Sequence, residues 1–197
     1  MSKARLEAFS DGVNAILITI MVLELKTPHG ADWHGLLERE FLVGMLTYLL
    51  SFVYIAIYWN NHHHMLHACS RVNGMVLWAN THLLFWLSVL PFATRWMAET
   101  ASESHLQPYP TAAYGFVLFM AGNAFNLLKL ALIRQHGPDS TLARATGADW
   151  KGKMSGLLNG LAMPLALWWP RLAIAIYAGI GLMWLIPDRR VERLIVD

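Results

Sequence analysis

Residues 5–24 read RLEAFSDGVNAILITIMVLE, with Ser10, Asp11 and Asn14 crowded into the first half and an almost wholly apolar second half. At about 100° per residue, the period of an α-helix, this run has two unlike faces. With Ile16 set at zero, Phe9, Ile20 and Leu23 lie within about 40° of it, and Gly12 and Thr19 flank them at about −40° and −60°. Ser10, Asn14 and Asp11 fall at about 120°, 160° and 220°. An ionisable group at membrane depth is costly unless it is paired or meets water, so the Asp11 face is expected to turn into protein. The opposite ladder of Ile16, Ile20 and Leu23 is open to three environments: lipid, a neighbouring helix or a pore.

The rest of the chain supports the membrane setting. Of 197 residues, 56% are hydrophobic and only 14% are charged, against about 25% charged in soluble domains. That deficit excludes a water-soluble globular protein and a disordered one. A mean hydropathy of +0.39 and nine Trp fit a bilayer, where Trp gathers at the interfaces. The single cysteine, Cys69, excludes a disulfide framework and a Cys-built metal site. A net charge of +2 gives no basis for a nucleic-acid partner.

Six stretches approach the roughly 20 apolar residues that span a bilayer: about 8–25, 41–65, 74–97, 109–133, 153–169 and 171–186. The last two are short and flank Pro170, which predicts a tight helical hairpin. Thr27-Pro28-His29-Gly30, Gln107-Pro108-Tyr109-Pro110 and Gly137-Pro138-Asp139 punctuate the runs. No cleavable signal peptide is expected at the first run. The polar segment 26–40 is expected outside the lipid, as a short surface helix. The chain thus reads as an all-α integral membrane protein, one domain over 1–197 with six transmembrane helices.

Lys and Arg favour the cytoplasmic side of membrane proteins. With the N-terminus inside, the inner segments hold Lys3, Arg5, Arg71, Arg134, Arg144, Lys151, Lys153, Arg189, Arg190 and Arg193, and the outer ones hold Lys26, Arg39, Arg95 and Arg171. Ten against four predicts both termini in the cytoplasm. Lys129 falls inside the fourth span, towards its inner end. No repeat of the first span's polar pattern occurs later. Gly152, Gly156 and Gly160 recur on one face of the fifth span, a small-residue stripe that lets helices approach closely.

Partners for Asp11 are expected from the second span, which offers Trp59, Asn60, Asn61, His62 and His63, and from the third, which offers Asn80 and His82; Arg5 is a further candidate. Taken alone, such a network either joins helices or serves function. His63 and His67 stand at the i, i+4 spacing that can hold a metal on a helix, but no carboxylate lies close in sequence, so no metal site is expected.

The motif Arg5-x-x-x-Phe9-Ser10-Asp11 ahead of an apolar helix resembles the signature of the transmembrane protein 175 family of potassium channels. Tyr58-Trp59-Asn60-Asn61-His62-His63, Asn80 with Pro91-Phe92, and Trp184 leading to Pro187-Asp188-Arg189-Arg190 extend the resemblance over essentially the whole chain. The resemblance implies a homotetramer of single six-span units, in the cell (plasma or inner) membrane, whose first helix lines a central pore. It places the narrowest constriction at Ile16, continues it outward at Ile20 and Leu23, and makes Thr19 the polar pore-lining residue. Arg5, Phe9, Ser10 and Asp11, with Trp59, His62, His63 and Asn80, are implied to form the network that holds the pore helix. Ile20 stands where some relatives have leucine, a change expected to alter pore shape slightly.

The implied activity is a cation channel, weakly selective for potassium over sodium, with a hydrophobic constriction serving as filter and gate. No Thr-Val-Gly-Tyr-Gly filter occurs in the chain. Glu24, near the outer mouth, either concentrates cations or is simply a solvated helix-end carboxylate. Potassium is the permeant ion, and no cofactor is expected. The rival reading is a proton-coupled secondary transporter using Asp11 and the His cluster, although no inverted repeat supports it. An enzyme would need a nucleophile or metal constellation, for which the His run is the only candidate.

Overall fold

In the computed structural model, residues 2–28, 32–100, 106–147 and 149–185 are described, and all regular structure among them is helical. The closing motif at Pro187–Arg190, together with Arg193, His29 and Gly30, lies outside the described residues. The helices are α1 (Lys3–Leu23), α2 (Arg39–His67), α3 (Gly74–Thr100), α4 (Pro108–His136), α5 (Thr141–Thr146), α6 (Trp150–Leu165) and α7 (Pro170–Leu185).

Local chemistry sets the ends. Ser2 caps α1 by accepting from the Arg5 N–H at 3.4 Å. Lys3 and Glu7 pair one turn apart at 3.6 Å, so α1 begins five residues earlier than its apolar run. Pro108 opens α4, where its missing N–H has no cost. Gly137, at φ +92°, closes that helix in a conformation a side chain would resist. The segment 26–40 contains a 3₁₀ helix, Trp33–Leu37, and is clasped by a 2.8 Å ion pair between Lys26 and Glu40. That hydrogen bond raises the Lys26 pKa above its ordinary value.

Helices α1 to α4 are each long and apolar enough to cross a membrane. Helices α6 and α7 have 16 residues each, about 24 Å at 1.5 Å per residue, less than the roughly 30 Å of hydrocarbon. Helix α5 was not anticipated: six residues between a Ser140 cap and Gly147 carry no periodicity to read.

The most extensive pairing sets α3 against α4, with α4 also packed on α6. Inside, Ser51 of α2 lies 2.7 Å from the Thr94 hydroxyl of α3 and 3.1 Å from that of Tyr114 on α4. Tyr54 donates to the Tyr177 carbonyl of α7 at 2.7 Å. The glycine stripe of α6 divides its labour: Gly160 meets Phe119 of α4, and Gly152 leaves room for the Asp149 cap.

Among the described glycines the tightest approach is at Gly115, where an added Cβ would overlap the hydroxyl of the fully buried Tyr177. Gly115→Ala is therefore expected to destabilise the protein by about 1–3 kcal/mol through overpacking. Thermal unfolding of purified protein checks this, with Gly44→Ala as the control, because nothing lies within 4 Å of a Cβ there.

Candidate functional site

The pore-helix candidate separates its faces much as its periodicity predicts, except that Asp11, expected to turn into protein, is exposed on the single chain. Leu6, Ser10, Asn14, Leu17 and Met21 form the buried stripe of α1. Ile16, Ile20 and Leu23 remain 57%, 41% and 82% exposed on the single chain. Gly12, on that same side, faces open space. The Thr19 hydroxyl donates to the Ile16 carbonyl at 2.9 Å, which leaves its oxygen lone pairs available as acceptors.

Behind the ladder, polar groups join three helices in a directed chain. Asn80 of α3 donates from Nδ2 to the Ser10 hydroxyl at 3.0 Å. Its Oδ1 is therefore an acceptor, and His62 of α2, at 2.6 Å, must present a protonated Nε2 to it. Ser10 passes its own proton to the Leu6 carbonyl at 2.9 Å. Ser10, Asn80 and His62 are all buried. Asn14 donates to the Ser10 carbonyl at 2.9 Å, and its buried Oδ1 has no partner.

Asp11 sits at the edge of this group. Trp59 donates to it from Nε1 at 2.9 Å, and both residues are exposed on the single chain. No ion pair joins Arg5 to Asp11 among the described residues, because six positions on a helix set their side chains about 120° apart. Arg5 instead lines a cleft with Phe9, Leu77 and Thr81, and Phe9 is exposed. His63 also stands apart from the chain of hydrogen bonds: its ring stacks on Trp59 at 6.0 Å and on His67 at 6.1 Å between centroids. His82 accepts from Trp86 at 2.9 Å.

At the far end of α1, Glu24 meets Arg95 of α3 at 2.6 Å, and Arg95 also binds Glu99 at 2.9 Å. The carboxylate is thus engaged by a cation that sequence reading had not paired with it. The separation of 71 positions explains why.

A family profile described as "Endosomal/lysosomal potassium channel TMEM175" matches residues 5–91. The chain is 46% identical over 193 residues to a potassium channel of Chryseobacterium sp. strain P1-3, covering 98% of this chain and 97% of that one. This chain belongs to the TMEM175 family. A second relative, a potassium channel of Streptomyces collinus, is 33% identical over 83% of this chain and 80% of its own length. The fold matches the crystal structure of a lysosomal potassium-selective channel TMEM175 homologue from Chamaesiphon minutus, with a TM-score of 0.76 and 25% identity over 93% of this chain and 96% of that one. TMEM175 proteins are channels rather than a class of enzyme, and this chain is a multi-pass membrane protein of that family.

Proposed function

We propose that the chain is one six-span unit, 1–197, of a homotetrameric potassium-selective cation channel in the cell membrane, with both termini cytoplasmic and α1 lining the pore. One observation supports this reading most: Ile16, Ile20 and Leu23 form a continuous apolar ladder turned away from their own chain's core. The polar chain Ser10–Asn80–His62 fixes that orientation from behind.

Four copies of the ladder stack as rings about 4.5–6 Å apart, given 1.5 Å of rise per residue. When narrow, such a neck excludes water and with it any ion that must keep its hydration. Thr19 lies between the first two rings in sequence. Its hydroxyl donates to Ile16, so its oxygen faces a passing cation as an acceptor and replaces part of the water shell. Selectivity for potassium over sodium follows from the neck's preference for the ion that gives up water more easily.

The test is potassium-driven flux into liposomes holding the purified protein, with sodium as comparison. Flux that rises linearly with driving force and is larger for potassium is expected. Saturable uptake coupled to a proton gradient overturns the channel in favour of a transporter using Asp11 and the histidines. Arg95→Gln, which leaves Glu24 without its cation, is expected to raise potassium flux by up to a few fold at low ionic strength, as an unscreened carboxylate at the mouth concentrates cations. The difference should vanish at high salt.

A further inference from the structure

On the side of α2 away from the polar chain, a cavity of 190 Å³ lies among α2, α4, α5, α6 and α7. It is open at its edge, since Asn123 and Trp150 both line it and are exposed. Its character changes along the helices. Tyr58 on α2 and Phe119 on α4 give an apolar wall, and His64 and Lys129 follow further along the same two helices. Lys151, in the first turn of α6, joins them at the end where α4 leads into α5.

That end carries a surplus of positive charge. Residues 144–153 include Arg144, Lys151 and Lys153 against one acid, Asp149. Asp149 is already engaged by Lys129, whose ammonium also donates to Asn126 at 2.8 Å. Because Asn126 accepts through Oδ1, the hydrogens of its Nδ2 are left to donate. That nitrogen meets no acceptor among the described residues, and it is not one of the polar atoms shut off from solvent. A cation and an amide donor at one end, an apolar wall beyond them and an exposed Trp at the margin match the parts of an anionic phospholipid. Basic pockets between spanning helices take such headgroups, and Trp favours the same interface.

We propose that this cavity holds the phosphate of an anionic phospholipid against Lys151 and the Asn126 amide, with the acyl chains running out along Tyr58 and Phe119. The proposal does not depend on the channel reading, and its test reads binding alone. The probe is phosphatidylglycerol with brominated chains, which quench indole fluorescence on contact. It is raised stepwise against phosphatidylcholine in vesicles holding the whole protein, with brominated phosphatidylcholine as reference. Trp150 and Trp184 line the cavity and report its occupancy.

Wild-type protein should show a quenching component that favours phosphatidylglycerol about five- to tenfold, the factor expected for one cation beside a net negative headgroup. Lys151→Gln should bring that ratio close to one, and Lys151→Arg should retain it. Lys153 is exposed and does not line the cavity, so Lys153→Gln should leave the ratio nearly unchanged. Gly156 lines the cavity with nothing within 4 Å of a Cβ, so Gly156→Leu takes up its volume while every charge stays in place. That variant should abolish the preference; if it also lowers the melting temperature, the lysine variants decide. A preference that survives Lys151→Gln, or survives Gly156→Leu in a protein of wild-type melting, overturns the proposal. So does equal loss in Lys151→Gln and Lys153→Gln, which would mean diffuse surface attraction. Relief of the quenching by millimolar inorganic phosphate at constant ionic strength would assign the site to a soluble phosphate and overturn the lipid.

Discussion

Ile16→Asn is expected to raise potassium flux about tenfold and to pull the potassium-to-sodium permeability ratio towards one. The amide replaces an apolar surface that expels water with one that holds it, so the narrowest ring stays wet. A tenfold increase corresponds to about 1.4 kcal/mol off the barrier to passage, a modest share of what dewetting imposes. The side chain is 57% exposed on the chain and lies outside the buried core, so the expected effect on folding is small. Flux assays with each cation, and reversal potentials under mixed ions, read both effects. Conductance and selectivity like those of the wild type would remove Ile16 from the pore.

Asn80→Leu is expected to have the larger structural effect. The leucine fills the volume but cannot bond, so the buried His62 Nε2–H loses its acceptor, while the Ser10 hydroxyl loses one donor and keeps its own bond to the Leu6 carbonyl. At about 1–3 kcal/mol for the buried N–H left unmet and about 0.5–1.5 kcal/mol for the bond lost at Ser10, the loss is about 1.5–4.5 kcal/mol. α1 then loses its buried link to α3 and keeps the exposed Asp11–Trp59 bond to α2 at that level, and loss of assembly or of thermal stability should appear in size-exclusion chromatography and melting. Asp11→Ala should cost less, because Asp11 and Trp59 are exposed on the single chain and share one bond. An Asn80→Leu protein that assembles, melts and conducts normally would reduce the network to passive filler.

These features differ in how far they were legible from the residue order. The two faces of α1 follow from a 3.6-residue period, and the buried stripe at Ser10, Asn14, Leu17 and Met21 lies about where that period puts it. Long apolar runs likewise located α2, α3 and α4 to within a few residues. Helix ends were harder, since α1 continues to Lys3 on a Ser2 cap and a Lys3–Glu7 pair, both polar features outside the apolar run. Trp59 was among the partners offered for Asp11, but ion pairs between distant positions were not legible. Lys129 with Asp149 and Glu24 with Arg95 are chosen by packing, and no local pattern names the partner.

The attachment of α1 is uneven along its length. Near Ser10 it is fastened to α3 by a buried hydrogen bond that Asn80 carries on to His62 of α2, whereas its outer tip is held to α3 by a water-facing ion pair, Glu24–Arg95, of a kind typically worth about 0–1 kcal/mol. A rod clamped at one end and tethered at the other moves as a lever. Ile16 sits about 9 Å from the Ser10 fulcrum and Leu23 about 20 Å, so in the proposed tetramer any tilt would widen the outer ring roughly twice as far as the inner one. Dilation would thus spread inward from the vestibule, and the isoleucine ring closest to the pivot would be the last to yield.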